Sequence, residues 1–396
     1  MKKLLSVILS MAMVCSATGC TNSQPAPSES SVTAQAESSS ENTAGESKVL
    51  EASIKYDFSG VPVQTTDKNY PNGAVFYSDI SDIVNKVYVE DRPLKIGFVM
   101  KTLVNEYWST VKQGIDEEIA RMQAEGIKIE ADVQAGASDS DKEGQLAILR
   151  SMINQKYDVI VVCPISDANL TPGIEEAIAA GIPIVSMNTY FDKEPYVPYY
   201  IGASFYAQGQ TAAEWIAKNN PDGGKVAVIM GLADATSSIG CTDGFKEWVE
   251  NNADSGLEIV DIQSADWDRV RAQEITSTLL KQNPDLKAVF CLSDVMAIGS
   301  VEAVKQAGML EQVKVVGRDG NSEAIASIKN KELAATVGQF PLYMGKASLQ
   351  VALLAQQKVE LPERIWIANA IIDQNNYETE QADILGWKDV EYEVVK

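Results

Sequence analysis

Residues 94–133 read LKIGFVMKTLVNEYWSTVKQGIDEEIARMQAEGIKIEADV. The stretch opens and closes on apolar, strand-like runs at 94–100 and 127–133. Between them Val111, Ile115, Ile119 and Met122 recur at i, i+4, i+8 and i+11, the spacing of one buried helix face. Strand, helix, strand in this order predicts a parallel sheet covered by helices. The alternation continues through runs at 158–164, 182–188 and 199–202, with Thr171-Pro172 as a helix cap followed by proline in the first turn. It then repeats at 225–230, 257–263, 288–293, 313–317, 335–339 and 365–372. So many strands are unusual for one such sheet. The expected fold class is therefore α/β, with two doubly wound parallel-sheet lobes, each an α/β/α sandwich.

Working outward, the N-terminus reads as a signal. Met-Lys-Lys precedes an apolar run from residue 4 to 14, too short to span a bilayer, and then Ala17-Thr18-Gly19-Cys20. Residues 21–48 are Ser, Glu, Thr, Ala, Asn and Pro with almost nothing large and apolar, which predicts a disordered tether. Residues 49–93 are poorly periodic, with Tyr56, Phe58, Tyr70, Phe76 and Tyr88 scattered among turns, and read as a lead-in packed on the body.

Composition narrows the function. The net charge is −22, or −24 once the two positive charges of Lys2 and Lys3 leave with a signal. An acidic body repels nucleic acid and anionic headgroups, so neither is an expected partner. There is no histidine, which removes His-based triads and most zinc sites. With no identifiable nucleophile and base, no catalytic residue, metal or cofactor is expected. Beyond Cys15 and Cys20, three cysteines remain. Cys163 and Cys291 sit in apolar runs and read as small hydrophobes, and an odd number excludes complete internal pairing.

Ligands of open α/β sheets bind at the carboxyl ends of strands. Here those ends carry Asn105 with Tyr107 and Trp108, Asn188-Thr189, Trp267, Ser293-Asp294, Asp319 and Gln339. Amides and a carboxylate bond vicinal hydroxyls, and aromatic faces stack on the apolar face of a sugar ring. No Gly-rich loop or Arg cluster suited to phosphate is present. Five of these residues also have a structural alternative. Trp108 and Trp267 fit a core, Asp319 a helix cap, Asn188 a turn, and Ser293 a purely structural role. Arg318 neighbours Asp319 on a strand, so its side chain is expected on the opposite face.

Several segments together resemble the ribose/galactose-type sugar-binding proteins of ABC transporters, which have the type I periplasmic-binding fold. They are KIGFVM at 95–100 with NEYW at 105–108, IVVCP at 160–164, GIPIV at 181–185, ADWDR at 265–269, SDVMAIG at 293–299, VGRDG at 316–320 and ATVGQFP at 335–341. The resemblance covers roughly 94–373. Cys20 after Gly19 resembles the lipobox of bacterial lipoproteins, although Ala17 stands where Leu or Val is more frequent. It implies lipidation (palmitate) of Cys20 and a place on the extracytoplasmic face of the cell membrane. Carried over residue by residue, the implied ligand set is Asn105, Tyr107, Trp108, Asn188, Thr189, Trp267, Ser293, Asp319 and Gln339. Thr189 and Cys241 stand where family arginines are usual, and whether Cys241 lies in the site stays open.

The resulting expectation is a monomeric, non-enzymatic, lipid-anchored receptor that captures a neutral sugar or polyol, including one bearing an amine, for an ABC permease. The alternative partner is a sensor kinase ectodomain. The signal would occupy 1–20, the tether 21–48 and the lead-in 49–93. The first lobe would be 94–202 plus 341–371, and the second 204–339 plus 372–396. The chain would cross between lobes near 202–204, 339–341 and 371–373.

Overall fold

The computed structural model describes residues 56–65, 67, 72–89, 91–166, 168–189 and 197–395. The signal, Cys20 and the tether lie outside them. The lead-in forms β1 (Val75–Phe76), α1 (Tyr77–Ile80) and β2 (Lys86–Tyr88). Then come β3 (Leu94–Met100), α2 (Glu106–Ala124), β4 (Ile129–Ala135), α3 (Lys142–Asn154), β5 (Val159–Val162), α4 (Thr171–Ala179), β6 (Ile184–Met187) and β7 (Tyr199–Gly202). The second half is α5 (Phe205–Asn219), β8 (Gly224–Met230), α6 (Thr236–Asn251), β9 (Leu257–Ser264), α7 (Arg269–Gln282), β10 (Ala288–Cys291), α8 (Asp294–Gln306), β11 (Lys314–Asp319), α9 (Ser322–Lys329) and β12 (Ala335–Gly338). The chain ends with α10 (Pro341–Gln356), β13 (Ile365–Trp366), β14 (Ala370–Asp373), α11 (Gln381–Leu385) and β15 (Glu393–Val395).

These strands make two large sheets and one two-stranded parallel sheet of β2 with β15. The first runs β1-β13-β7-β6-β5-β3-β4 and is parallel throughout. The second runs β14-β12-β11-β10-β8-β9 and is parallel except for the antiparallel edge strand β14. Helices bury both faces, so central strands such as Val159–Val162 and Ala288–Cys291 are buried at every position. In α2 the expected face is found, with Val111, Ile115 and Met122 buried and Ile119 partly so. Against it lies α10. Their contact is backbone on backbone. A Cβ on Gly114 would fall 1.9 Å from Leu342 O, and one on Gly345 2.0 Å from Val111 O. The thiols of Cys163 and Cys291, buried and unpaired, are pushed up to about 12 by that burial.

Two boundaries differ from the sequence reading. The apolar run 365–372 is not one strand. Its first part joins the first sheet as β13 and its last part the second as β14, so this crossing falls at 367–369 rather than 371–373. Asn369 interrupts the run, and its Oδ1 accepts from Thr211 Oγ1 at 3.1 Å. The C-terminus also does not stay with the second sheet. Gln374 donates to Ile328 O and Gln381 to Gly320 O at 3.5 Å, both in the second lobe. From Trp387 the chain returns to the first lobe. Its ring stacks on Tyr77 at 5.0 Å and packs on Tyr343 at 4.8 Å, and β15 pairs with β2. Arg121 of α2 donates to Val390 O, and Tyr392 donates to Glu118 of the same helix. Among the described residues the chain thus passes between lobes four times. The fourth passage brings Trp387 onto Tyr77 and Tyr343, and Val390 and Tyr392 onto α2.

Candidate functional site

A cavity lies at the carboxyl ends of the strands, between the lobes. The lobes also touch directly. Ser322 N at the start of α9 donates to Glu106 at 2.9 Å, and Lys142 pairs with Asp234 at 3.3 Å.

From the first lobe, Asn105 caps α2 by accepting from Tyr107 N at 2.9 Å. The cap sets the first turn so that Tyr107 and Trp108 face the cavity, edge to face at 4.7 Å. Asn188 follows β6 with φ 61° and donates to Tyr107 OH at 3.3 Å. Its Oδ1 is buried without a partner among the described residues. An orphaned buried acceptor costs about 1–3 kcal/mol, so it invites a ligand donor. Asp139, in the loop after β4, completes this side with Lys101, whose ammonium lies 5.6 Å over the Trp108 ring. Burial raises the Asp139 carboxyl above the usual range, while Lys101 and hydrogen bonds from Trp108 and Asn105 oppose the shift.

From the second lobe comes Trp267, just after β9. It and Asp266 take φ of 64° and 53°, a left-handed conformation that costs side-chain-bearing residues energy. Its ring lies against Gly231, where a Cβ would come within 2.1 Å of it. Ser293 caps α8 by accepting from Met296 N at 3.3 Å, yet still borders the cavity. Phe205, Leu232, Ser237 and Leu292 add to the wall.

Behind Asp319 lies a buried polar network. Its carboxylate accepts from Gln339 Nε2 at 2.6 Å and from Asp294 N at 3.2 Å. Asp294 in turn accepts from Gly320 N, Asn321 N and Thr336 Oγ1 at 2.7, 2.8 and 2.6 Å. Asp294, not Asp319, therefore satisfies the backbone leading into α9. Burial drives the Asp319 carboxyl well above the usual range and the Asp294 charge adds to this, while Arg318 and the two hydrogen bonds oppose it. Burial also raises Asp294, against its three hydrogen bonds and the charge of Arg318.

Eight of the nine expected ligand residues line this cavity: Asn105, Tyr107, Trp108, Asn188, Trp267, Ser293, Asp319 and Gln339. Thr189 does not. The left-handed turn at Asn188 sends it under the sheet, where its hydroxyl faces Pro164 O at 3.5 Å and its carbonyl accepts from Ser186. Cys241 is buried in α6 behind the wall, its sulfur 3.7 Å from Gln208 Oε1. The expectation for Arg318 is overturned. It lines the cavity with Asp319, because Asp319 has φ 140° and the strand's alternation ends there. Among the described residues the cleft therefore contains two cations, Lys101 and Arg318, where none is expected from the sequence. Lys101, Asp139 and Phe205 were also missed. Asp139 follows a strand end, so the rule that found Asn105 would have reached it.

The arrangement belongs to a ligand-binding cleft closed by two lobes. Residues 96–358 match the family described as periplasmic binding protein domain, and the chain belongs to that family. It is 32% identical over 270 residues to the D-allose-binding periplasmic protein of Escherichia coli K12, covering 65% of this chain and 83% of that protein. It is 32% identical over 267 residues to the ribose import binding protein of Bacillus subtilis 168, covering 67% and 83%. The structure of an ABC transporter periplasmic solute-binding protein from Actinobacillus succinogenes 130z with bound D-allose superposes with a TM-score of 0.66 at 28% identity, covering 72% of this chain and all of that one.

Proposed function

We propose that this chain is the extracytoplasmic solute-binding protein of an ABC importer and that it holds a neutral sugar or polyol between its lobes. The observation that carries the reading is the cavity itself, where two tryptophans, the orphaned amide oxygen of Asn188 and the Asp319–Gln339 pair converge. Such a surface offers stacking to a ring and acceptors to its hydroxyls. The lining sets two cations, Lys101 and Arg318, beside two carboxyl groups, Asp139 and Asp319. The import role printed for the Bacillus relative favours transport over sensing. In this reading 94–202 with 341–366 make one lobe and 204–339 with 370–385 the other. The ligand favours closure only by touching both.

A thermal-shift panel of D-ribose, D-allose, D-galactose and myo-inositol tests the reading. A bound compound at 100 times its dissociation constant adds about 2.7 kcal/mol. No shift with any neutral sugar or polyol would sink it. The same reading places the monomeric protein on the membrane through Cys20. Cys20→Ser is expected to abolish lipid labelling and to release the protein or leave its signal attached. A variant that stays labelled and membrane-bound would show the anchor to be elsewhere.

A further inference from the structure

Arg318 is an unusual wall residue. It is only 4% exposed, and no carboxylate among the described residues lies within ion-pair distance. Three neutral oxygens hold it instead. Nε donates to Gln208 Oε1 at 2.6 Å, Nη1 to Leu292 O at 3.0 Å and Nη2 to Gln339 Oε1 at 2.9 Å. The ring of Phe205 backs the guanidinium at 5.2 Å. A guanidinium has five N–H donors in a fixed plane, so one on Nη1 and one on Nη2 are left over. A buried charge is costly unless its hydrogen bonds are completed. The open side of this group is the cavity.

We propose that Arg318 is a ligand-contacting residue, donating from Nη1 or Nη2 to an oxygen acceptor of the bound sugar. The proposal rests on the sugar-binding reading above. Neutral partners make the assignment specific. Had Arg318 been fixed by carboxylates, its charge would be spent within the protein. Fixed by two glutamines and a carbonyl, it keeps its charge and a rigid fork, the arrangement suited to directional recognition of oxygen. Its holders also occupy telling positions. Gln208 follows the first passage between lobes and Gln339 precedes the second. An acceptor bound by Arg318 is therefore bound by a group pinned to both.

The test uses the full protein, wild type and Arg318→Lys, titrated calorimetrically with D-ribose, D-allose, D-galactose, D-galacturonate and myo-inositol. Lysine keeps the charge and loses the fork. Affinity for the best wild-type compound is expected to fall about ten- to hundredfold, the worth of a charge-assisted hydrogen bond. A greater loss for galacturonate than for galactose would identify the acceptor as a carboxylate. The reverse would identify a hydroxyl or ring oxygen. Unchanged affinity in a folded Arg318→Lys overturns the proposal and leaves the binding reading standing. Wild type that binds none of the compounds overturns both. Because a buried substitution can compromise folding, a crystal structure of wild type with its best compound decides independently. A ligand oxygen within about 3.2 Å of Nη1 or Nη2 supports the proposal, and none within hydrogen-bond reach overturns it.

Discussion

Trp267→Ala is expected to weaken sugar binding by about 2 kcal/mol or more, roughly thirtyfold, while leaving the melting temperature of the ligand-free protein nearly intact. The asymmetry follows from where the ring sits. Trp267 is partly buried, on a loop beyond β9, and rests on the bare backbone of Gly231. It contributes wall more than core. Two successive left-handed residues hold it there, a conformation for which a simple core residue has no use. Tryptophan fluorescence and calorimetry with the best panel compound read the binding, and differential scanning calorimetry reads the stability. A large loss of stability with unchanged affinity would make Trp267 a core residue.

The second large effect is expected at Asp319. If its carboxylate accepts a ligand hydroxyl, Asp319→Asn should weaken binding by about 1.5–3 kcal/mol. The pH dependence has a definite sign. Burial holds the folded-state pKa of Asp319 above its unfolded value of about 3.9. The folded protein thus keeps a proton that the unfolded chain releases. The corresponding stabilisation is complete below about pH 4 and is lost as pH rises through the raised pKa. The melting temperature of the ligand-free protein should decline across that window, and less steeply in Asp319→Asn. Ligand hydroxyls favour the ionised carboxylate, so sugar binding should release protons and tighten as pH rises. Proton uptake on binding, measured in buffers of different ionisation enthalpy, would contradict this role.

Much of the site was legible because strand ends in a parallel sheet collect the chemistry, and Asn105, Trp108, Trp267 and Asp319 all stand just past apolar runs. The errors arose where the backbone leaves its regular path. Period-two alternation placed Arg318 behind the sheet, but the positive φ of Asp319 ends the alternation one residue early. Adjacency to Asn188 brought Thr189 into the set, and the left-handed turn between them removed it. Lys101 and Asp139 also follow strand ends, but each lies in a loop with several polar residues, and strand-end position alone does not choose among them. The return of the C-terminus was invisible for another reason. Trp387, Tyr392 and Val394 read as a short apolar stretch, but their partners in α1, α2 and β2 are near the other end of the sequence.

That return has a mechanical consequence. With β15 lying beside β2, the chain enters and leaves through the same lobe. A load applied at either end, by an anchor before the lead-in or by a surface holding a C-terminal tag, falls on the first lobe alone. In the proposed reading, ligand-driven closure would then move the second lobe against a first lobe that carries both the lead-in and the C-terminal strand.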